Sequence, residues 1–585
     1  MDRVCMSVED GCERGWVASC LVNDRGVVAG VHPHASTLGV ASIVVLGGWR
    51  PEAEFARLEP AGRREDGETL LMSIRSFDWV AHHAYTRPDK AAVHDLDTGR
   101  EFNWAEVNDR TSRLASALRK EFGIGHGDRV GVLANNNSNF FEVQFACWKL
   151  GAVFVPVNWR LAVAELEFIF GDCTPSLLIH DDDFIETAET LAKTCDIAHR
   201  MTWETPDASG AAASYEDVLA TSEPLPLDQN HPCTHDDTLT IMYTSGTTGR
   251  PKGALITQGM TFWNAVNCVE FFLLGPDMVN LAVLPLFHTG GLNCFANPAF
   301  HFGGLNLIMR SFDPAECLRL MNDPDVGVTH LLAVPANFLF MSQVPAFEDA
   351  TFPTVETCGV GGSPTPIPLI ETWGAKGLPL QQGFGMTETS PLVLALKPED
   401  AAVKIGSAGL PCMHTETKIV DEDGNLTPVG ETGELWCRGP NITPGYWNRP
   451  EANEESFTDG WLHTGDAARM DEDGFYYIVD RWKDMYISGG ENVYPAEVEN
   501  VIYQLDEIGE VSVIGIPDEK WVEVGRACVV VKEGHDIDEV TIINHCRANL
   551  ARFKVPQSVV FIDEIPHNAT GKVLKRELRE HYSEA

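Results

Sequence analysis

Positive charge is what this sequence has least of: its 585 residues carry 43 Lys and Arg against 85 Asp and Glu, a formal net charge of −42. The excess is spread along the chain, and a surface of that sign repels phosphate backbones and anionic headgroups, so nucleic acid is excluded as an expected partner. Long apolar runs are missing too. The strongest one near the N-terminus, residues 38–48, is too short to span a bilayer and follows acidic residues where an export signal needs basic ones. Neither a membrane span nor a leader is predicted. The 15 cysteines contain no C-x-x-C pair and no zinc-type Cys/His spacing, so they read as reduced core thiols of a cytoplasmic protein. Tyr582-Ser583-Glu584-Ala585 at the C-terminus offers no receptor-read address. With 51 Gly and 34 Pro there is no collagen-like or low-complexity excess, and no internal repeat is visible.

What is present is organised. Residues 1–71 show no sustained period and mix Gly, Pro, Arg and Glu, whereas a regular pattern begins at Met72. Met72 is therefore read as the natural start and 1–71 as an extension, with an ordered accessory segment as the alternative; N-terminal sequencing of the native protein separates them. Beyond it, helical text at 104–118 and 139–150 alternates with apolar runs at 129–133 and 152–157, the strand, helix, strand order of a parallel sheet with crossover helices. Phe140, Phe141 and Phe145 fall on that helical text and read as core. Strand-and-turn text fills 406–479, and a compact α+β rhythm fills 496–578. The predicted fold is α/β, a large multi-subdomain body over 72–480 followed by a small α+β domain over 481–585.

Five segments carry chemistry. Residues 243–253 read Y-T-S-G-T-T-G-R-P-K-G: Gly246, Gly249 and Gly253 let backbone approach an anion, Thr244, Ser245, Thr247 and Thr248 supply hydroxyls, and Lys252 supplies charge. That is a phosphate loop, yet no G-K-[ST] closes it, which excludes the common P-loop NTPase pattern. Residues 381–389 place Phe384 between Gly383 and Gly385, where an aromatic can stack on a base, with Gln382 before it. Met386 and Thr387 follow, and Glu388 is suited to a Mg²⁺ that bridges phosphates. Residues 461–466 end in Asp466, suited to two ribose hydroxyls; residues 477–484 supply Arg481 and Lys483; residues 566–572 end in Lys572 on a tight turn. Taken singly, a lone Asp or Arg would read as solvated surface charge and Gly-Phe-Gly as a packed turn.

Together and in this order, these segments resemble the adenylate-forming superfamily of acyl-CoA synthetases, aryl-CoA ligases, luciferases and peptide-synthetase adenylation domains, over about Met72 to Tyr582. The resemblance implies a two-step reaction in which a carboxylate attacks the α-phosphorus of Mg·ATP and a thiolate then displaces AMP. It implies that 244–252 cradle the phosphates, that Thr244 and Glu388 bind Mg²⁺, and that 383–386 form the adenine wall. Asp466 then takes the ribose, Arg481 the ribose-phosphate side, and Lys572 the charge that develops during adenylation. A lid hinged near Lys483 is implied to swing so that Ser488, Gly489 and Gly490 line a thiol tunnel. Two positions depart from the family pattern: Ile487 where many relatives carry lysine, and Val522 where they carry glycine.

For the acid, residues 285–295 resemble the family's acyl-pocket helix, with His288 at the place where amino-acid-activating relatives carry aspartate; an α-amino acid is disfavoured. Gly290 and Gly291, facing Gly361 and Gly362, leave room for a tail larger than acetate, with Leu292, Cys294 and Val360 as apolar neighbours. The competing reading is that these glycines only permit close backbone packing. Thirteen residues follow Lys572, which leaves no fused carrier domain, so CoA is the expected acceptor. The sequence leans to a medium- or long-chain fatty acid, with a hydroxycinnamate such as ferulate or coumarate as the alternative. A non-catalytic nucleotide or acyl-ligand sensor is the alternative from another class.

Overall fold

The computed structural model describes residues 20–23, 26–29, 73–203, 212–244, 251–363, 365–421, 423–481, 484–488, 491–518, 521–567 and 573–583. The chain divides into two compact units, Met1–Met72 and Ser73–Ala585. In the first, only the backbone of one hairpin, Cys20–Asn23 against Gly26–Ala29, is described. The remainder of 1–71, and with it the expected start at Met72, lies outside the described residues.

The second unit is built on two large, mostly parallel sheets. Around Arg129–Leu133, the strands Val153–Pro156, Leu177–His180 and His199–Thr202 all run parallel. Thr238–Thr244 joins parallel to Val153–Pro156 and turns back antiparallel as Lys252–Thr257. The other sheet runs parallel through Ala91–Asp95, Leu305–Ile308, Val279–Ala282, His330–Ala333, Thr357–Val360 and Leu380–Gly385. Strands of this kind are covered on both faces, which is why they read as unbroken apolar text rather than alternation. The α/β prediction holds.

Local chemistry explains the crossover helices. Trp104–Lys120 starts in a capping box: Asn103 Oδ1 accepts from Glu106 N at 2.9 Å and Glu106 Oε2 accepts from Asn103 N at 2.9 Å, so two otherwise orphaned donors are satisfied. Asn139–Leu150 is buried along its length, with Phe140, Phe141 and Phe145 at 0–1% exposure, as expected of core. It stops at Gly151, whose φ of +66° puts it in the left-handed region; a Cβ there would also lie 2.7 Å from the His231 ring. The buried cysteines behave as hydrophobes: burial pushes the Cys233, Cys528 and Cys546 thiols up to about 11, so they are inert at neutral pH.

An antiparallel sheet follows, Glu416–Val420, Gly433–Arg438, Trp461–Met470 and Tyr476–Arg481. The strands Tyr486–Ser488, Glu491–Val493, Ile508–Asp518, Val522–Val531 and Ser558–Phe561 form a separate sheet with helices Pro495–Ile502, Glu539–Asn549 and Lys575–Tyr582. Tyr486 is the centre of that small core, and Gly515 and Gly525 make way for it: a Cβ at either would lie within 2.4 Å of its side chain. Among the described residues no helix is long and apolar enough to cross a membrane.

His330 makes the fold sensitive to acid. It is 1% exposed, and its Nε2 lies 2.8 Å from Phe272 O and its Nδ1 2.7 Å from Thr329 Oγ1. Burial lowers its pKa from 6.5 to about 4, so the unfolded chain binds the proton first as pH falls, and stability is complete above 6.5 and lost progressively toward 4. Between pH 7 and pH 5 this one group is expected to remove about 2 kcal/mol. Urea unfolding of His330→Gln at both pH values checks it; a pH dependence equal to that of the unaltered protein would assign the acid sensitivity elsewhere.

Candidate active site

The hairpin Thr238–Thr244 and Lys252–Thr257 presents the phosphate-loop text at the edge of the first sheet, with Thr244 opposite Lys252 and Tyr243 opposite Gly253. Thr244 Oγ1 donates to Lys252 O at 3.4 Å, and Tyr243 OH donates to Asp172 Oδ2 at 2.7 Å, so the two ends are tied down. Ser245, Gly246, Thr247, Thr248 and Gly249 lie outside the described residues. A short segment straps this hairpin from its other side: Leu255 N donates to Gly445 O, Trp447 N to Gly253 O and Thr443 Oγ1 to Leu255 O, at 2.7–3.0 Å.

Strand Leu380–Gly385 delivers the second motif from the other sheet. Gly385 is obligatory, since a Cβ would sit 1.7 Å from Pro391 O. Gln382 Nε2 donates to Ser407 O at 3.0 Å. Half-buried Phe384 and Met386 pack against the cluster of Val393, Leu394, Ala408 and Leu435, so part of the expected adenine wall is seated on the antiparallel sheet. Thr387–Thr389 forms a single 3₁₀ turn that turns Glu388 inward at 6% exposure, where Tyr446 OH donates to its Oε1 at 2.7 Å and Thr443 N to its backbone carbonyl at 2.7 Å. Burial, and then the Glu388 charge, push the Tyr446 phenol well above its ordinary range, which keeps it a donor. Asp466, 4% exposed, stands opposite Arg481 in the antiparallel register. Glu388 and Asp466 converge: burial raises the Cys437 thiol, and both carboxylates raise it further.

The expected acyl residues sit beside these. The turn Gly290–Ala296 is π-helical, a wide form concentrated at functional sites. His288 Nδ1 accepts from Gly290 N at 3.1 Å, so the neutral ring carries its proton on Nε2. Gly291 answers to packing rather than to space: a Cβ would lie 2.2 Å from Pro285 O and 2.7 Å from Leu284 O. The same holds at Gly361, 2.8 Å from Gly383 O by the same measure, whereas Gly362 has a φ of +85°. Val360 is paired with Gln382 in the sheet, which sets the acyl and adenine candidates side by side. A cavity of about 10 Å³ is lined by Gly290, Gly291, Phe295 and Leu332, and among the described residues no charged side chain lines it. Leu292 is fully buried, and burial lifts the Cys294 thiol to about 12.

The remaining candidates belong to the small sheet and its neighbourhood. Ser488 is buried and paired with Glu491 and Val522. Gly489, Gly490, Lys483 and Lys572 lie outside the described residues, and Arg481 is described in its backbone only. His567 pairs with Val573, and Leu574 N donates to Pro566 O at 2.8 Å, closing the segment that contains Lys572 in sequence.

A Mg²⁺ fits the donors present. Thr244 and Glu388 carry hard oxygen donors, and among the described residues no group of three or more His, Cys, Asp or Glu gathers to hold a metal. That donor set matches a cation held by one or two protein oxygens and by phosphates.

The AMP-binding enzyme family model matches residues 80–447, and the model of its C-terminal domain matches 497–572. The chain belongs to the AMP-binding enzymes. A feruloyl-CoA synthase of an Amycolatopsis species is 40% identical over 86% of the chain and 98% of that relative. The long-chain-fatty-acid–CoA ligase FadD13 of Mycobacterium tuberculosis is 37% identical over 87% of the chain and 99% of that relative. The crystal structure of ATP-bound MatB from Rhodopseudomonas palustris, 30% identical, superposes with a TM-score of 0.79 over 87% of the chain and 99% of MatB. This AMP-binding enzyme is an ATP-dependent, AMP-forming acid–CoA ligase that uses Mg²⁺, rather than a non-catalytic sensor.

Proposed function

We propose that the acid carries an uncharged apolar tail and is a medium- or long-chain fatty acid, activated in the cytoplasm. The observation that carries this is the make-up of the π-helical turn: Leu292 and Cys294 on it are apolar, and His288 before it stands where a carboxylate would be needed for an ammonium. An ammonium buried there would have no carboxylate at the position of His288 to pair with. Hydroxycinnamate is the second reading, favoured by the 40% identity to the feruloyl-CoA synthase.

In this reading His288 Nε2–H orients the acid carboxylate beside Gln382 and Gly383, and 244–252 hold the polyphosphate. One carboxylate oxygen attacks the α-phosphorus, the bond to pyrophosphate breaks, and Lys572 stabilises the charge shared between carboxylate and phosphate. Mg²⁺, when bound through Thr244 and Glu388, neutralises phosphate charge. Asp466 and Arg481 keep the adenylate in place while the CoA thiolate attacks the acyl carbon and AMP leaves. Residues 72–480 form the adenylating body and 481–585 a lid hinged near Lys483; this is supported by the two sheets on either side, one ending at Arg481 and the other beginning at Tyr486, which share no strand among the described residues. The lid swing replaces Lys572 with Ser488, Gly489 and Gly490, which line the thiol tunnel.

The test is kcat/KM for acyl-CoA formation with octanoate, palmitate, ferulate, coumarate, malonate and phenylalanine. Fatty acids are expected to lead, with malonate and phenylalanine lower by about a hundredfold or more. Ferulate or coumarate in the lead would move the assignment to the aryl acids, and turnover of malonate or phenylalanine at equal rates would refute the apolar pocket.

A further inference from the structure

Tyr446 sits between the two charged ends of the polyphosphate site. Its backbone pairs with Ala254, two residues beyond Lys252, and its side chain is 8% exposed. The phenol donates to Glu388 Oε1 at 2.7 Å, while Lys252 Nζ lies over the other part of the same side chain, 5.3 Å from the ring centroid. That distance is within the range of a cation–π contact. Neither Lys252 nor Glu388 forms an ion pair with a described residue, although one side chain touches both. The backbone makes the position rigid: Gly445 and Trp447 bond to the Lys252 strand on either side, and Thr443 N bonds to the carbonyl of Glu388.

We infer that Tyr446 is a positioning residue for adenylation. It occupies Oε1 of Glu388, so that Oε2 is the oxygen offered to the cation, and it parks the Lys252 ammonium on its ring so that the lysine and the carboxylate do not collapse into a salt bridge. The inference rests on the reading of Glu388 as the Mg²⁺-binding carboxylate. A ligand oriented in this way binds more tightly, and loss of such an outer partner costs roughly 10- to 100-fold in metal affinity.

The experiment uses the full chain with Mn²⁺ as a paramagnetic probe and α,β-methylene ATP, so that no turnover occurs, and compares Tyr446→Phe, Glu388→Gln and the double variant. Tyr446→Phe keeps the ring and the lysine contact and loses only the phenol. It is expected to weaken Mn²⁺ binding about tenfold and to raise by a similar factor the Mg²⁺ needed for half-maximal acid-dependent pyrophosphate release. Thioester formation from supplied acyl-adenylate should not change, and the substitution should add nothing once Glu388 is Gln. Unchanged Mn²⁺ affinity in Tyr446→Phe beside a loss in Glu388→Gln would overturn the inference and leave Glu388 its role. Wild-type affinity in all three would overturn the reading of Glu388 itself. Equal loss in both half-reactions, or an added loss in the double variant, would make Tyr446 a structural residue only.

Discussion

Lys572→Ala is expected to lower acid-dependent pyrophosphate release by about a hundred- to a thousandfold, the usual effect of removing one preorganised group from developing negative charge. Formation of the thioester from supplied acyl-adenylate should hardly change. The reason is charge: during adenylation a carboxylate and an α-phosphate, both anionic, are pressed together, and a fixed ammonium there is stronger in the transition state than in the ground state. In the second step the nucleophile is a thiolate and the leaving group is AMP, and in the proposed lid swing the lysine is no longer in the site. Rapid-quench measurement of each half-reaction separates the two. An equal fall in both would mean that Lys572 stays in the site throughout and that the lid does not alternate.

Gly489→Leu is expected to give the opposite pattern, with adenylation retained and thioester formation lost by about two orders of magnitude or more. In the proposed thioester-forming arrangement Gly489 would border the path of the pantetheine arm, and a branched side chain there would fill the space through which the thiol must come within bonding reach of the acyl carbon. The proposed adenylating arrangement would keep that segment outside the site. AMP would then accumulate only as fast as the adenylate hydrolyses, with a burst of pyrophosphate of one per enzyme. Loss of the burst would show that the substitution damages the body of the enzyme rather than the tunnel.

The parts of this enzyme that were legible in the sequence are those in which chemistry and backbone coincide. The phosphate hairpin reads directly, because an apolar strand must end where Thr244 and the glycines begin, and the parallel sheets read directly because doubly covered strands are apolar without interruption. Phe140, Phe141 and Phe145 fell on helical spacing and are core. What did not read is tertiary. Gly291 and Gly361 look like space in one dimension and are close backbone contacts in three. Phe384 looks like a free stacking face and is half seated on a sheet formed by residues up to about 90 positions later in the chain.

Tyr446 was missed because its partners, Lys252 and Glu388, lie 194 and 58 positions earlier, and no local period can reveal such a pairing. One signal was available. Tyrosine is scarce here, 10 among 585 residues, and Gly445-Tyr446-Trp447 lies within the strand-and-turn text without alternation, which marks a residue held for contact rather than for its place in a strand.

The central claim, that one site joins the acid to AMP before CoA, is tested most directly by following oxygen. The acid is supplied with both carboxylate oxygens as ¹⁸O, together with Mg·ATP and CoA, and the AMP and pyrophosphate are weighed by mass spectrometry. If the carboxylate attacks the α-phosphorus and the thiolate then breaks the acyl–oxygen bond, every AMP formed carries one ¹⁸O and the pyrophosphate carries none. AMP without label, or label in the pyrophosphate, would contradict the acyl-adenylate route.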